Sequence, residues 1–308
     1  KILLIHGIGH IEANLSWDAE WKKIIEGSIK ALNPTSTVSF QAVKYDEIFE
    51  KTEIDPVAVA EALAQLSTSG VCSWVGDIFK RRRGITDALQ WTLGMVAKWA
   101  SDDKLRADLR KVVLKSINEF DPMVICAHSL GSLIAYDSFA QTPNSVNDRY
   151  FMSFGSQIGN PFIRSLFGGR IVPLDAKYWY HLYNKEDAVA TAPIQLSAEN
   201  FEQVDTYFDI PGIADHSSAE YLKHPNTTNL VWKSIVTQRP KTTARMLKTL
   251  VAAPQQRALL VGINDYPNPA DRLEGCVNDV YLMSSVLQEC GLPPENIRVV
   301  LNERATVS

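Results

Sequence analysis

Residues 126–132 read CAHSLGS and follow DPMVI, an apolar run with the look of a buried strand. A serine on a sharp strand-to-helix turn is presented to a substrate carbonyl. The residues two before and two after it must be small, because the strand and helix backbones nearly touch there. Here those residues are Ala127 and Gly131. Glycine is usual at the first of the two places, so Ala127 departs from the pattern by one methyl group. On this stretch alone Ser129 reads equally as a nucleophile and as a serine in an ordinary turn.

A hydroxyl attacks well only when a histidine takes its proton and an acid orients that histidine. On an open α/β sheet the three follow one another as serine, acid, histidine. Downstream of the strand-like KYWYHLY comes NKEDAVATAP, which sets Asp187 just past a strand end, with Glu186 as the neighbouring alternative. PGIADHSSAEYL then sets His216 in a polar loop directly before a helix. The other histidines fit less well: His181 lies within a strand, His128 fills the variable slot of the turn, His6 belongs to an HG turn, and His10 and His224 are out of order. Negative charge developing on the substrate oxygen needs two backbone N–H donors, each worth about 3 kcal/mol in the transition state. One is the amide of Leu130. The other is supplied by HGIGH at 6–10, where Gly7 and Gly9 let the backbone swing inward around Ile8.

These residues need a scaffold, and the chain reads as one. KILLI (1–5) predicts a buried strand and TVSFQAVKY (37–45) the next. Between them Trp17, Trp21, Ile24, Ile25, Ile29 and Leu32 form the apolar stripe of a helix capped by Asn14 or Ser16. A long helical region from about 56 to 120 leads to the serine strand at 123–127. A helix (130–141), strands at 149–154, 177–183 and 203–208, and a last helix from 218 to 236 complete the pattern. Strands alternating with helices predict an α/β fold with a mostly parallel sheet.

The chain has 308 residues, 45% of them hydrophobic and 21% charged, which is the composition of a globular protein and not of a disordered one. A formal net charge of -4 argues against a nucleic-acid partner, which usually demands a basic surplus. Cys72, Cys126, Cys276 and Cys290 show no metal-ligand spacing, no cofactor motif is present, and a reducing, cytoplasmic setting is expected. No apolar stretch approaches the roughly 18 residues a membrane span needs.

LLIHGIG, AHSLG, the post-strand Asp187 and the pre-helix His216 together resemble α/β-hydrolases of the lipase and esterase type, over about residues 1–236. The resemblance implies Ser129 as nucleophile, His216 as general base, Asp187 as orienting acid, and the Ile8 and Leu130 amides as oxyanion donors. It also implies a lipid or acyl-ester substrate. Strands that usually precede the HG strand in that family have no counterpart, which implies a minimal fold or further chain before Lys1. The stretch from 51 to 100 is too long for a plain crossover and is expected to form a helical cap or lid. Its tryptophans and the run Lys80, Arg81, Arg82, Arg83 suit a lid meeting an anionic membrane surface. A cap simply packed on the sheet is the favoured alternative.

RPKTTARMLKTLVAAPQQ (239–256) reads as a linker that separates a hydrolase domain, 1–238, from a new strand-helix-strand unit at 257–308. There ALLVGIN, LEGCVNDV and ENIRVVLNERAT resemble the start of the caspase-like domain of metacaspases, a peptidase C14-like fold. By that resemblance Asp279 matches an acidic residue of the substrate pocket, favouring arginine or lysine before the cut. The family's SGHG and DxCHSG motifs are not in this sequence, so the catalytic pair is expected on further chain or on a cleaved partner. Cys276 and Cys290 read as buried helix cysteines. Three functions compete: a serine esterase regulated by a fused protease, as in bacterial defence or cell death; a caspase-like protease with a hydrolase-like sensor; and amidase chemistry at Ser129.

Overall fold

The computed structural model describes residues 1–7, 17–51, 87–187, 189, 191–210, 212–237, 257–273, 275–289, 292, 296–302 and 305. The chain divides into two compact units, Lys1–Arg239 and Pro240–Ser308.

In the first unit, β1 (Ile2–Ile5), β2 (Phe40–Ala42), β3 (Val124–His128), β4 (Tyr150–Phe154), β5 (Tyr178–Tyr183) and β6 (Phe201–Asp205) form one sheet in the order β2-β1-β3-β4-β5-β6. Every pairing is parallel. The helices are α1 (Trp17–Leu32), α2 (Asp46–Lys51), α3 (Asp87–Ser101), α4 (Asp103–Phe120), α5 (Leu130–Gln141), α6 (Pro161–Ser165), α7 (Ser218–Lys223) and α8 (Lys233–Thr237). This is the expected α/β architecture with flanking helices. The chain steps from β1 to one side for β2 and to the other for β3, so the carboxyl ends of β1 and β3 border a switch point, where open sheets of this kind place ligands.

Both faces of the sheet are covered, which is why β1, β3 and β4 read as nearly continuous apolar runs instead of alternating ones. Leu3, Ile5, Ile125, Ala127, Phe151 and Trp179 join one core with α4 and α5. Ile2, Leu4, Val124, Cys126, Met152 and Tyr180 join the other with Trp21, Ile25 and Trp232. Helix α4 buries Leu105, Leu109, Val113 and Ile117, one residue per turn, and is started by Asp102, whose Oδ1 accepts from the Leu105 N–H at 2.9 Å. Val96, Ala97, Trp99 and Ala100 at the end of α3 belong to the core, so this end of the 51–100 insertion is packed into the unit. Residues 52–86, with the basic run Lys80–Arg83, fall outside the described residues.

Several expected boundaries move. The strand at 37–45 contracts to 40–42 and helix α2 follows it at once. The strand expected at 203–208 runs from 201 to 205, in register from Trp179↔Phe201. The helical region before the serine strand breaks at Asp102, which caps the second of its two described helices. The last helix is not continuous: α7 stops at Lys223, a π-helical turn spans Thr227–Trp232, and α8 follows. Pro225 is the cause, since the residue before a proline is pushed out of helical geometry, and His224 sits at φ -57°, ψ 136°. Asn14 and Ser16, the expected caps of α1, and the 239–256 linker lie outside the described residues.

In the second unit, β7 (Ala258–Gly262) and β8 (Ile297–Leu301) pair in parallel and α9 (Cys276–Glu289) connects them. A Cβ on Gly262 would lie 2.7 Å from the Cys276 carbonyl oxygen, so the helix start packs directly on the strand end. Asn264 Oδ1 accepts from the Val277 N–H, and Asn302 Oδ1 accepts from the Asn264 N–H. Leu259 and Val261 on β7 and Tyr281, Leu282, Met283 and Val286 on α9 are exposed. Among the described residues no helix is long and apolar enough to cross a membrane.

His181 on β5 is fully buried. The Ser153 hydroxyl oxygen accepts from Trp179 Nε1 at 2.9 Å and lies at hydrogen-bond distance, 3.0 Å, from His181 Nδ1. Burial pushes the imidazole down to about 3. The unfolded chain therefore takes up a proton below about pH 6.5 that the folded unit refuses; stability is complete above that pH and declines as the pH falls toward 3. All seven tryptophans lie in the first unit, so tryptophan fluorescence in urea reports on it alone. Between pH 7 and pH 5 the wild type should lose about 2 kcal/mol more than His181→Asn; equal losses would show that the ring is not held neutral.

Candidate active site

Ser129 lies between β3 and α5 at φ 51°, ψ -131°, a backbone conformation that costs a residue with a side chain of order 1–3 kcal/mol. The surroundings impose it. A Cβ on Gly131 would stand 2.6 Å from the carbonyl oxygens of both Ile5 and His6, so the first turn of α5 is pressed against the end of β1. The other small residue, Ala127, is accommodated with its methyl in the core. The Ser129 N–H donates to the Phe154 carbonyl at 3.0 Å, and the Ser132 hydroxyl donates to the Ser129 carbonyl at 2.5 Å. The turn is therefore held from β4 and from its own helix.

The loops after β5 and β6 reach this turn. His216 ends a 3-10 turn (Gly212–His216), and its Nε2 lies 2.9 Å from Ser129 Oγ. Its Nδ1 lies 2.9 and 2.8 Å from the two carboxylate oxygens of Asp187. Asp187 is fully buried and gathers two further donors, the Val189 N–H at 2.9 Å and the Tyr221 hydroxyl at 2.7 Å. Glu186 is not part of the chain; its nearest ion partner is Lys185, at 3.7 Å. The structure thus brings Ser129, His216 and Asp187 together in one hydrogen-bonded line and leaves the alternative acid outside it. A carboxylate with two such donors and an imidazole against it can carry charge through a reaction without being stranded in a dry site.

Leu130 is the first residue of α5, so its amide has no intrahelical carbonyl to bond and points out at the positive end of the helix. Gly7 passes close by: a Cβ there would be 2.8 Å from Ser129 Cβ and 3.4 Å from the Leu130 nitrogen. The Tyr45 hydroxyl donates to the His6 carbonyl and pins the same stretch. Ile8, the expected second donor, lies outside the described residues. His6 stacks on Trp17 at 4.6 Å, and Trp21 and Phe154 continue an aromatic wall beside the serine turn.

Four contributors, Tyr221, His128, Gly155 and Gln157, were not among the expected site residues. Tyr221, five residues after His216, holds the carboxylate from behind; burial and the adjacent Asp187 charge push its hydroxyl well above the usual range, so it stays a donor. His128 packs its ring 4.7 Å from that of His216. Gly155, at φ 54°, closes the end of β4, where a Cβ would lie 2.7 Å from His128 Nε2 and 3.1 Å from His216 Cε1. A glycine just past a strand end, as in FGSQIG, is the signal that was available. Gln157 Nε2 donates to the Val189 carbonyl at 2.9 Å and ties this loop to the one carrying Asp187. In the second unit Asp279 lies on the first turn of α9 and is exposed, and Cys276 is partly buried at its start; Cys290 lies outside the described residues. Burial pushes the Cys126 thiol well above its ordinary range, so this sulfur is inert.

Gly155→Ala combines an unfavourable positive φ with contacts too short for any side chain. It should cost about 2 kcal/mol or more in urea unfolding. The control Gly27→Ala, where an added methyl meets nothing within 4 Å, should not destabilise.

Residues 255–307 match the family model of the caspase domain, a match that falls wholly within the second unit. No curated protein and no solved structure gives a significant match to the chain.

Proposed function

We propose that the first unit is an α/β-hydrolase-type serine hydrolase acting on an ester, with Ser129 as nucleophile, His216 as general base and Asp187 as the acid that orients it. The observation that carries this reading is the continuous line from Ser129 Oγ through the two His216 nitrogens to Asp187, set at a switch point of a parallel sheet. In the first step Ser129 Oγ attacks the acyl carbon and its proton passes to His216 Nε2. The imidazolium is stabilised by the Asp187 carboxylate, and the oxyanion faces the Leu130 amide. Collapse of the tetrahedral adduct expels the alcohol, which takes the proton back from His216. Water, activated by the same imidazole, then releases the acid and restores Ser129. The aromatic wall of Trp17, Trp21 and Phe154 favours an apolar acyl or lipid ester over a small polar one. An amide substrate would follow the same steps with an amine as leaving group.

The family match favours a second reading for residues 255–307, and it lends the hydrolase reading no support. In that reading this segment is the front of a caspase-like protease, with Asp279 in a pocket for arginine or lysine. The exposed apolar residues of β7 and α9 support it, since a two-stranded sheet with one helix leaves faces that further strands and helices would cover. The catalytic cysteine and histidine would then come from additional chain. The two readings join naturally in one protein whose protease part releases or restrains its hydrolase part.

A fluorophosphonate probe should label wild-type protein and fail on Ser129→Ala; labelling that survives this substitution would sink the nucleophile assignment. Ser129→Ala and His216→Ala should abolish p-nitrophenyl ester hydrolysis with unfolding midpoints preserved. Asp187→Asn should lower kcat by about 10⁴, and Glu186→Gln should leave it within about twofold. For the second unit, intact-mass analysis of the full-length protein should show cleavage after Arg239, Lys241, Arg245 or Lys248 once the protease is active. Cuts confined to acidic residues would exclude the basic-pocket reading of Asp279.

A further inference from the structure

His128, the last residue of β3 and the neighbour of Ser129, faces the loop that carries His216. Its Nε2 lies 3.1 Å from the His216 backbone oxygen. A carbonyl only accepts, so the ring proton must reside on Nε2 and be donated there. Its Nδ1 is buried with no hydrogen-bond partner among the described residues, which leaves that nitrogen bare. The ring is thereby confined to one neutral tautomer, wedged between Phe154 at 5.2 Å and the His216 ring at 4.7 Å. Gly155 closes the remaining side, without room for even a methyl group between the two imidazoles.

We infer that His128 is a positioning residue for His216: its Nε2–H grips the His216 carbonyl and sets the imidazole at hydrogen-bonding distance from Ser129. The functional meaning of this grip rests on the serine-hydrolase reading above. His216 is then held at two points that do different things. Asp187 fixes the rotation and tautomer of the ring through Nδ1, and His128 fixes the backbone to which the ring is attached. The grip also ties the strand that delivers the nucleophile to the loop that delivers the base, so their separation does not depend on that loop alone. The groups facing His128 are the His216 and His6 rings, the Tyr221 ring at 6.4 Å, and Asp187 beyond His216. Burial first, and the two histidines next, hold the imidazole well below its ordinary range. It therefore adds no positive charge beside the imidazolium that forms on His216 during turnover.

The test uses the full chain and two substitutions. His128→Phe fills the space without a donor, and His128→Gln carries an amide N–H to about the place of Nε2. With a p-nitrophenyl ester, His128→Phe should lower kcat about 10- to 100-fold with KM within about twofold, and His128→Gln should restore most of it. Nitrogen-15 NMR of the wild type should show His128 as a single Nε2–H tautomer from pH 5 to pH 8. Equal kcat in the wild type and His128→Phe, no difference between the two variants, or a His128 that titrates in this range or carries its proton on Nδ1 would each overturn the inference. Should His128→Phe fail to fold by circular dichroism, the glutamine variant and the wild-type tautomer decide. A wild-type chain that no fluorophosphonate labels overturns the hydrolase reading instead, and the tautomer still decides whether the grip exists.

Discussion

The first turn of α5 lies so close to the end of β1 that the missing side chain of Gly131 faces two carbonyl oxygens. This close approach of backbones governs the geometry around it. With the helix pressed in, the chain must reverse sharply after β3, and Ser129 takes a positive φ as the hinge of that reversal. The same approach brings Gly7 against Ser129 and sets the amide of Leu130 at the open end of the helix. The sheet contributes the rigidity: β3 is paired with β1 from Val124 to Ala127 and with β4 through His128, and every residue of it is buried, so strain beyond its end is not relieved by shifting the strand.

Three buried histidines show how one unit assigns different tasks to one side chain through the partners it offers. His216 meets a carboxylate and a hydroxyl, an arrangement that accommodates a transient positive charge. His128 meets a backbone carbonyl at one nitrogen and, among the described residues, nothing at the other. His181 meets the Ser153 hydroxyl at one nitrogen and, among the described residues, nothing at the other. For the last two, the second nitrogen has no acceptor, and a proton added anywhere on the ring would sit in a dry interior. The chemistry of each ring follows from its neighbours, and only one of the three neighbourhoods contains an anion.

Much of this was legible in the residues. The strand-turn-helix pattern around AHSLG, the place of Asp187 past a strand and of His216 before a helix, and the alternation that makes a parallel sheet are all local patterns. They survived folding because the burial they encode is also local. Choosing Asp187 over Glu186 was not open to spacing, as both sit in the same loop; burial and the converging Val189 and Tyr221 donors separate them. Pro225 announced the break after α7, yet the apolar stripe that continues past it favoured one helix. His128 looked like filler in a variable slot because its partner is a backbone oxygen 88 residues away, and backbone atoms leave no mark in a sequence.

Ser129 and His216 are separated by 87 residues, and Asp187 by 29 from His216. The strands between them must be laid down in order before the loop after β6 can reach back to β3. During synthesis, the segment through β4 can already shape the serine turn, yet the imidazole has not left the ribosome. A chain stalled or cut before Gly212 therefore lacks the imidazole that stands beside the serine turn in the folded unit. On the proposed serine-hydrolase reading, nascent and truncated copies of this unit would be chemically silent until the last loop closes.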